Sequence, residues 1–183
     1  RANEDHVANI RESVGQDIEL MADAYMGWDF LYAKKMCRRL EKYDLAWIEE
    51  PFVPDDLNSY AKLRQETSIP ISGGEHEYTR YGFRDMINAR AVDILQPDAL
   101  VLGGITEYMK VAALAQAHDL DVAPHGAQEV HIHLVAAIPN GLILEYYRDS
   151  VNPMHGKIWE HELTIENGYV LAPDRPGLGL VPK

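Results

Sequence analysis

Six ionisable side chains follow short apolar segments at regular intervals along the chain. They are Asp23, Glu49, Glu75, Asp98, His125 and Glu145. The intervals between them are 26, 26, 23, 27 and 20 residues, and each is close to the length of one β-strand followed by one α-helix. Because parallel strands place their carboxyl ends on one face, we expect all six side chains to converge at one rim of a sheet.

The first three of these groups are carboxylates, and they suggest a metal site. Asp23, Glu49 and Glu75 end three consecutive apolar segments. Carboxylates brought together in this way repel one another unless a cation neutralises them. A hard divalent ion with oxygen ligands, Mg²⁺ above all, suits such a set and leaves room for water and substrate. The alternative for each acid is a helix-capping or surface residue at a strand end.

The next three groups suggest acid–base chemistry. Asp98 and His125 end neighbouring segments, and a carboxylate beside an imidazole fixes the tautomer and raises the basicity, as in a general base. Glu145 follows a wholly apolar run, so we expect it to be partly buried. Burial raises the pKa of a carboxyl, and a protonated Glu145 could donate a hydrogen bond to a developing oxyanion. The alternatives are a structural histidine and a salt-bridged glutamate.

Four further side chains lie close to these groups in the sequence. His76 directly follows Glu75 and is a candidate contact for a substrate hydroxyl, with Tyr25 as a second candidate. His131 and His133 lie two residues apart in a predicted helix, so they point in different directions. We interpret both as structural or surface groups.

Short apolar runs alternate with amphipathic stretches along the chain. The predicted strands are Ile18–Ala22, Leu45–Ile48, Ile69–Ser72, Val92–Gln96, Leu120–Ala123 and Leu142–Leu144. The predicted helices are Phe30–Lys42, Leu57–Glu66, Tyr81–Ala89, Ile105–His118 and Glu129–Ala137. Runs that are apolar throughout indicate strands buried on both faces, as in a parallel sheet, and their alternation with helices predicts an α/β fold.

The convergence of six side chains on one ligand favours a (β/α)₈ barrel over an open sheet, which would spread them across its width. A complete barrel needs about 250 residues, whereas this chain has 183. We therefore expect the C-terminal three-quarters of a barrel, with two strands missing and open sheet edges. Residues 1–150 would form the partial barrel. Residues 151–183 would form a hairpin around Asn167-Gly168 and a tail that packs on the barrel or on a domain outside this chain.

Composition excludes several classes of protein. The formal net charge of −12 repels phosphate backbones, so we expect no nucleic-acid partner. The longest stretch without Asp, Glu, Lys or Arg, residues 130–144, is interrupted by Pro139-Asn140-Gly141 and is too short to span a bilayer. A single cysteine, Cys37, excludes an internal disulfide. No secretory leader is recognisable, so we expect a cytoplasmic protein without a membrane partner.

The ordered set of strand-end residues resembles the enolase superfamily, in particular its mandelate racemase subgroup. The motifs that carry the resemblance are Trp47-Ile48-Glu49-Glu50-Pro51, Gln96-Pro97-Asp98 followed by Gly103-Gly104, and Pro176-Gly177-Leu178-Gly179. Within the subgroup, the segments 23–26 and 74–84 are most similar to acid-sugar dehydratases of the rhamnonate dehydratase type. Mandelate racemase itself tends to carry Asn where this chain has Tyr25, which counts against a simple racemase.

The resemblance implies that Asp23, Glu49 and Glu75 bind Mg²⁺, that His125 paired with Asp98 is the acid–base group, and that Glu145 hydrogen-bonds a substrate carboxylate oxygen. It also implies an N-terminal capping domain outside this chain and a homo-oligomeric full-length protein. The expected activity is that of a hydro-lyase: Mg²⁺-dependent dehydration of a small-molecule acid sugar, an aldonate or aldarate, through an enediolate to a 2-keto-3-deoxy acid. Two alternatives stay open, a racemase or epimerase of a 2-hydroxy acid and a non-catalytic homologue.

Overall fold

Strands and helices alternate along most of the chain in the computed structural model, which describes residues 2–153 and 155–183. The elements in chain order are α1 (Ala2–Val14), β1 (Leu20–Asp23), α2 (Phe30–Leu40), β2 (Leu45–Glu49), α3 (Leu57–Glu66), β3 (Ile71–Gly73), α4 (Thr79–Asn88), β4 (Ile94–Leu95), α5 (Ala99–Leu102), α6 (Ile105–Gln116), β5 (Asp121–Val122), α7 (Gln128–Ala137), α8 (His155–Ile158), β6 (Ile165–Glu166) and β7 (Tyr169–Val170). Among the described residues, no helix is long and apolar enough to cross a membrane.

Strands β1 to β5 form one sheet in their chain order, and each neighbouring pair is parallel. The predicted α/β fold is therefore confirmed, and the arrangement is that of a partial barrel. The carboxyl ends of the five strands lie on one side, as the spacing of the ionisable residues requires.

The predicted sixth strand, Leu142–Leu144, is wrong. Gly141 forms a single parallel bridge with Val122, and the amide of Leu142 donates to the Val122 carbonyl at 2.9 Å. Beyond that point Leu142 and Ile143 are 47% and 44% exposed. The apolar run therefore follows the sheet for one bridge and then leaves it.

The core lies between the sheet and the helices that return along it. Ile48, Ile71 and Leu95 are fully buried in the central strands, and Met36 and Leu40 on the buried side of α2 belong to the same hydrophobic cluster. Burying a side chain of this size contributes about 1.5–3 kcal/mol. The apolar character that made these runs recognisable is thus what holds the strand ends in place.

Helix α1 is an element that the sequence pattern did not predict. Arg11 near its end is only 5% exposed, and its guanidinium donates to the carbonyls of Gly15, Ile18, Tyr43 and Asp44 at 2.6–2.9 Å. These carbonyls belong to the segments that lead into β1 and β2. The buried Arg11 guanidinium therefore links α1 to the amino-terminal side of the sheet.

The segment after the sheet contains the antiparallel hairpin β6–β7. Asn167 and Gly168 form its turn with φ values of 51° and 84°, the left-handed conformation that a tight hairpin needs. Further along, the Leu178 carbonyl lies 3.0 Å from Nε2 of His133 on α7. The division into residues 1–150 and 151–183 stays a prediction.

Candidate active site

The first three predicted acids lie at the ends of β1, β2 and β3. Asp23 and Glu49 are the last residues of β1 and β2 and are register partners, and Glu75 follows the end of β3 by two residues. Glu49 and Glu75 are each 8% exposed, whereas Asp23 is exposed. The sheet therefore delivers the three carboxylates to neighbouring positions on one rim.

The loops behind these acids have unusual backbone conformations. Glu50 has a φ of 38° directly after β2, and Tyr25 has a φ of 42° after β1. Gly74, with a φ of 130°, packs so tightly that an added Cβ would lie 2.8 Å from the Phe83 ring. Left-handed positions cost free energy in residues other than glycine and concentrate at functional sites. The tight turn at Gly74 brings Glu75 back over the rim.

The electrostatics of this rim favour the uptake of positive charge. Burial raises the pKa of Glu49 to about 7, and the charges of Asp23 and Glu145 push it in the same direction. Burial likewise raises the pKa of Glu75, with a further contribution from Glu50. Buried carboxylates that repel one another gain from a bound proton or cation. The donor chemistry of Asp23, Glu49 and Glu75 thus fits a hard divalent ion.

A second trio of donors shares one of these acids. Glu50, Glu75 and His76 bring one ligand atom each to within 4.8 Å of one another, and Nδ1 of His76 lies 3.0 Å from Glu50 Oε2 and 3.6 Å from Glu75 Oε1. In the described part of the chain, Asp23 and Glu49 do not belong to a group this tight. The role of Asp23, Glu49 and Glu75 as joint metal ligands stays a prediction.

Asp98 and His125 lie in direct contact. Nδ1 of His125 is 3.1 Å from Asp98 Oδ2, and its Nε2 is 3.7 Å from Glu75 Oε2. The hydrogen bond to Asp98, assisted by the charge of Glu75, raises the pKa of His125 to about 9. Burial alone would raise the pKa of Asp98, but the hydrogen bonds from His125 and from the Leu100 amide lower it. Asp98 therefore orients an imidazole that binds a proton readily.

Glu145 is half-buried and accepts two hydrogen bonds. The amide of Gly126 donates to its Oε2 at 2.6 Å, and the hydroxyl of Tyr147 donates to its Oε1 at 2.7 Å. Both oxygens thus act as acceptors within the chain, and the expected hydrogen bond from Glu145 to a substrate stays a prediction. In this arrangement the carboxylate holds the loop that carries His125.

A cavity of about 340 Å³ opens beside three of the candidate site residues. Its wall includes Asp23, Glu49 and Glu145 together with Trp47 and Gln96. Gln96 is 4% exposed, and within the described residues its Oε1 has no hydrogen-bond partner. An unpaired buried carbonyl oxygen on a residue of the cavity wall is a natural acceptor for a substrate hydroxyl or a water molecule.

Tyr25 is 63% exposed, and its ring centroid lies 6.2 Å from that of His76. The two predicted substrate contacts thus lie near each other, and His76 also lies beside Glu75. The pairing of Glu50 with His76 and the cavity position of Gln96 were missed by sequence reasoning. Glu50 directly follows Glu49, and Gln96 lies two residues before Asp98, so adjacency to candidate residues was the available signal.

Comparison with known proteins shows what this chain is similar to. The family model described as enolase C-terminal domain-like matches residues 1–183. The chain is 37% identical over 177 residues to the 3,6-anhydro-alpha-L-galactonate cycloisomerase of Streptomyces coelicolor, a match that covers 97% of this chain and 48% of that protein. It is 37% identical over 186 residues to the L-rhamnonate dehydratase of Saccharopolyspora erythraea, a match that covers 98% of this chain and 48% of that protein. The chain thus spans about half the length of these relatives.

A solved structure has a backbone fold similar to that of this chain. The L-talarate dehydratase from Polaromonas sp. JS666, crystallised with Mg and L-glucarate, superposes with a TM-score of 0.92 at 37% sequence identity. The superposition covers 100% of this chain and 50% of that chain.

Proposed function

This chain belongs to the enolase C-terminal domain-like family, and from that premise we propose that the full-length protein is a Mg²⁺-dependent dehydratase of an acid sugar. The observation that carries the proposal is the contact of His125 with both Asp98, at 3.1 Å, and Glu75, at 3.7 Å. This contact supports an acid–base role for His125 beside a carboxylate of the proposed metal site. Two of the similar proteins are named as dehydratases of acid sugars, L-rhamnonate and L-talarate.

Asp23, Glu49 and Glu75 are the residues that would hold the metal. The chemistry that a bound Mg²⁺ ion supplies is Lewis-acid polarisation of the substrate carboxylate, which acidifies the neighbouring C–H bond. The burial of Glu49 and Glu75 removes competing water, so charge stabilisation at this rim is stronger than in bulk solvent.

His125 performs both proton transfers in this proposal. In the neutral form of His125, Nε2 accepts the proton from C2 of the acid sugar, and the electron pair of that C–H bond forms the enediolate. The protonated imidazole then donates the same proton to the 3-hydroxyl, the C3–O bond breaks, and water leaves. The resulting enol gains a proton at C3 and loses the proton of its 2-hydroxyl, which gives a 2-keto-3-deoxy acid. Asp98 stabilises the imidazolium throughout, through its contact with Nδ1.

His76 and Gln96 would orient the hydroxyl groups of the substrate. Because Glu50 occupies Nδ1 of His76, Nε2 is the nitrogen left for a substrate. Gln96, a residue of the cavity wall, would supply its unpaired Oε1 as a hydrogen-bond acceptor. Tyr25 would shield the solvent-exposed side of the site from water. Glu145 would hold the His125 loop in place through the hydrogen bond that the Gly126 amide donates to it. Its carboxyl group would also form a hydrogen bond with the carboxylate of a bound substrate.

The experiment is a screen of aldonic and aldaric acids with the full-length protein, with and without added Mg²⁺. The readout is formation of a 2-keto acid. We expect turnover of at least one acid sugar, dependent on Mg²⁺ and lost in the His125→Asn variant. A library-wide absence of keto acid would contradict the proposal. If the protein instead interconverts acid sugars that differ in configuration at C2, without forming keto acid, the proposed dehydratase would have to be replaced by an epimerase.

A further inference from the structure

His131 is a buried histidine that contacts both loops of the proposed acid–base pair. We propose that it is a positioning residue, which fixes the loop after β4 against the loop after β5 and thereby sets the contact of Asp98 with His125. The inference rests on the proposed function for its catalytic consequence. Its structural content, a brace between two loops, is independent of the reaction.

Each ring nitrogen of His131 has one backbone partner. The amide of Ala99, the residue after Asp98, lies 2.9 Å from Nε2, and the carbonyl of Gly126, the residue after His125, lies 2.6 Å from Nδ1. An amide N–H can only donate and a carbonyl can only accept. Nε2 must therefore be the acceptor and Nδ1 the N–H donor, so the neutral ring in one tautomer satisfies both partners.

The two partners lie next to the two members of the pair in the sequence. Ala99 and Gly126 belong to segments that follow different strands, and the rigid width of one imidazole ring sets the distance between them. Nε2 of His131 is itself 3.7 Å from Asp98 Oδ1, on the opposite carboxylate oxygen from the one that faces His125. A shift of the His131 ring would therefore move both ends of the Asp98–His125 contact.

The surroundings of His131 separate it from the reacting groups. Its exposed fraction is 0%, and the ring of Tyr108 stacks on it with a centroid distance of 5.8 Å. Burial lowers the pKa of His131, which agrees with the neutral ring that its two backbone partners require. A fully buried ring cannot touch a substrate, so any effect on turnover must be transmitted through the loops.

Three substitutions in the full-length protein test the proposal. His131→Phe keeps the ring volume and removes both hydrogen bonds. Asn can restore a donor near the position of Nδ1 and Gln an acceptor near the position of Nε2, so each retains one bond. We expect kcat to fall by about 10²-fold for Phe, the effect of a misplacement of about 1 Å, and by less for Asn and Gln. The KM and the affinity for Mg²⁺ should change less than about twofold, because the brace acts on the geometry of the pair.

The matched control is His133→Phe on the same helix. Its Nε2 contacts the Leu178 carbonyl in the C-terminal segment, not the loops of the pair. We expect that variant to keep the parent kcat. Because Phe could impair folding, thermal unfolding is measured for every variant. If the His131→Phe variant fails to fold, the His131→Asn and His131→Gln variants test the proposal.

A readout without turnover keeps this test separate from the proposed function. The ¹⁵N NMR signals of His125 report whether its Nδ1 carries the proton that is shared with Asp98. We expect those signals to change in His131→Phe and to stay unchanged in His133→Phe. Unchanged His125 signals together with parental kcat in folded His131 variants would overturn the proposal. If no acid sugar is turned over, the proposed function fails, and the NMR comparison alone determines whether His131 positions the pair.

Discussion

The imidazole of His125 touches two carboxylates that have different proposed tasks. Asp98, at 3.1 Å, orients the ring, and Glu75, at 3.7 Å, belongs to the proposed metal ligands. Replacing His125 by Asn removes the proton acceptor and leaves the metal ligands in place. We predict a fall in kcat of at least about 10²-fold, the low end for general acid–base catalysis, with little change in Mg²⁺ affinity. The measurement is steady-state kinetics beside calorimetric titration with Mg²⁺. Parental kcat would show that His125 is a structural histidine.

The Glu75→Gln variant should lose Mg²⁺ affinity, which the His125→Asn variant should keep. The substitution keeps the shape of the side chain but removes the negative charge that a divalent ion requires, so we predict weaker Mg²⁺ binding in the same titration. Glu77→Gln is the matched control, since the Glu77 carboxylate packs against Gly82 on α4. Equal Mg²⁺ affinity in the Glu75→Gln variant and the parent would remove Glu75 from the ligand set.

At the scale of single residues, the sequence predicted which side chains could take part in chemistry, but it was less informative about which side chains contact one another. Asp98 and His125 could be matched because consecutive parallel strands bring their ends together. The partner of His76 could not, because the side chain that reaches it is Glu50, whose direction depends on a left-handed φ of 38° that no spacing rule reveals. His131 was interpreted as structural or surface for the same reason, since burial at 0% exposure is a property of the packed fold.

At the scale of elements, one buried arginine joins α1 to the sheet. Arg11→Ala would leave four backbone carbonyls without their charged donor, and we predict a loss of at least about 2 kcal/mol in the free energy of unfolding, as for buried hydrogen bonds to a charged group. Arg38→Ala, at an exposed position of α2, is the control and should change stability by less than about 0.5 kcal/mol. Denaturant unfolding of both variants measures the difference, and equal stabilities would contradict the bracing role.

The start of α4 is joined to α6 by a charge cluster that should respond to pH. Glu107 accepts from the Arg80 backbone amide at 3.0 Å and from Lys110 at 3.1 Å, and it pairs with the Arg80 guanidinium at 2.8 Å, which together lower its pKa from 4.5 to about 2. A lowered pKa in the folded state means that the charged form stabilises the fold above pH 4.5 and that this stabilisation declines as the pH falls towards 2.

We therefore predict that Glu107→Gln lowers the free energy of unfolding at about pH 7 and that its difference from the parent shrinks between pH 4.5 and about pH 2. Denaturant titrations across this range supply the measurement. Because the Arg80 side chain is 38% exposed, added salt should also reduce the difference. A difference that is independent of pH would show that the charge of Glu107 does not contribute.

The elements themselves were predictable where packing and pattern agree. Helix α3 begins at Leu57 and ends at Glu66 as predicted, because Asp56 caps it and Tyr60 and Leu63 are buried on one side. The predicted strand at Leu142–Leu144 is absent although its residues are apolar, because the segment bonds only Val122 and then leaves the sheet. Helix α1 went unrecognised because what fixes it is the long-range set of bonds from Arg11, not a strong apolar stripe.

At the scale of the whole molecule, the charge and the sheet topology point to the same rim. The chain carries a net charge of −12, and its most buried carboxylates gather where the parallel strands end. Such a rim attracts cations and repels an acid sugar unless a cation is bound first. We therefore propose that, in the full-length protein, a Mg²⁺-loaded rim and the Asp98–His125 pair together remove water from an acid sugar.

The most direct test follows one acid-sugar substrate by ¹H NMR in D₂O, with the full-length protein and Mg²⁺. We predict that the C2 proton signal disappears as a 2-keto-3-deoxy acid accumulates with one deuterium at C3, because the enol formed after water loss takes its proton there. His125→Asn should produce neither change. Deuterium at C2 of the acid sugar or its epimer, without any keto acid, would contradict dehydration, since the enzyme would then return the proton and not expel the hydroxyl.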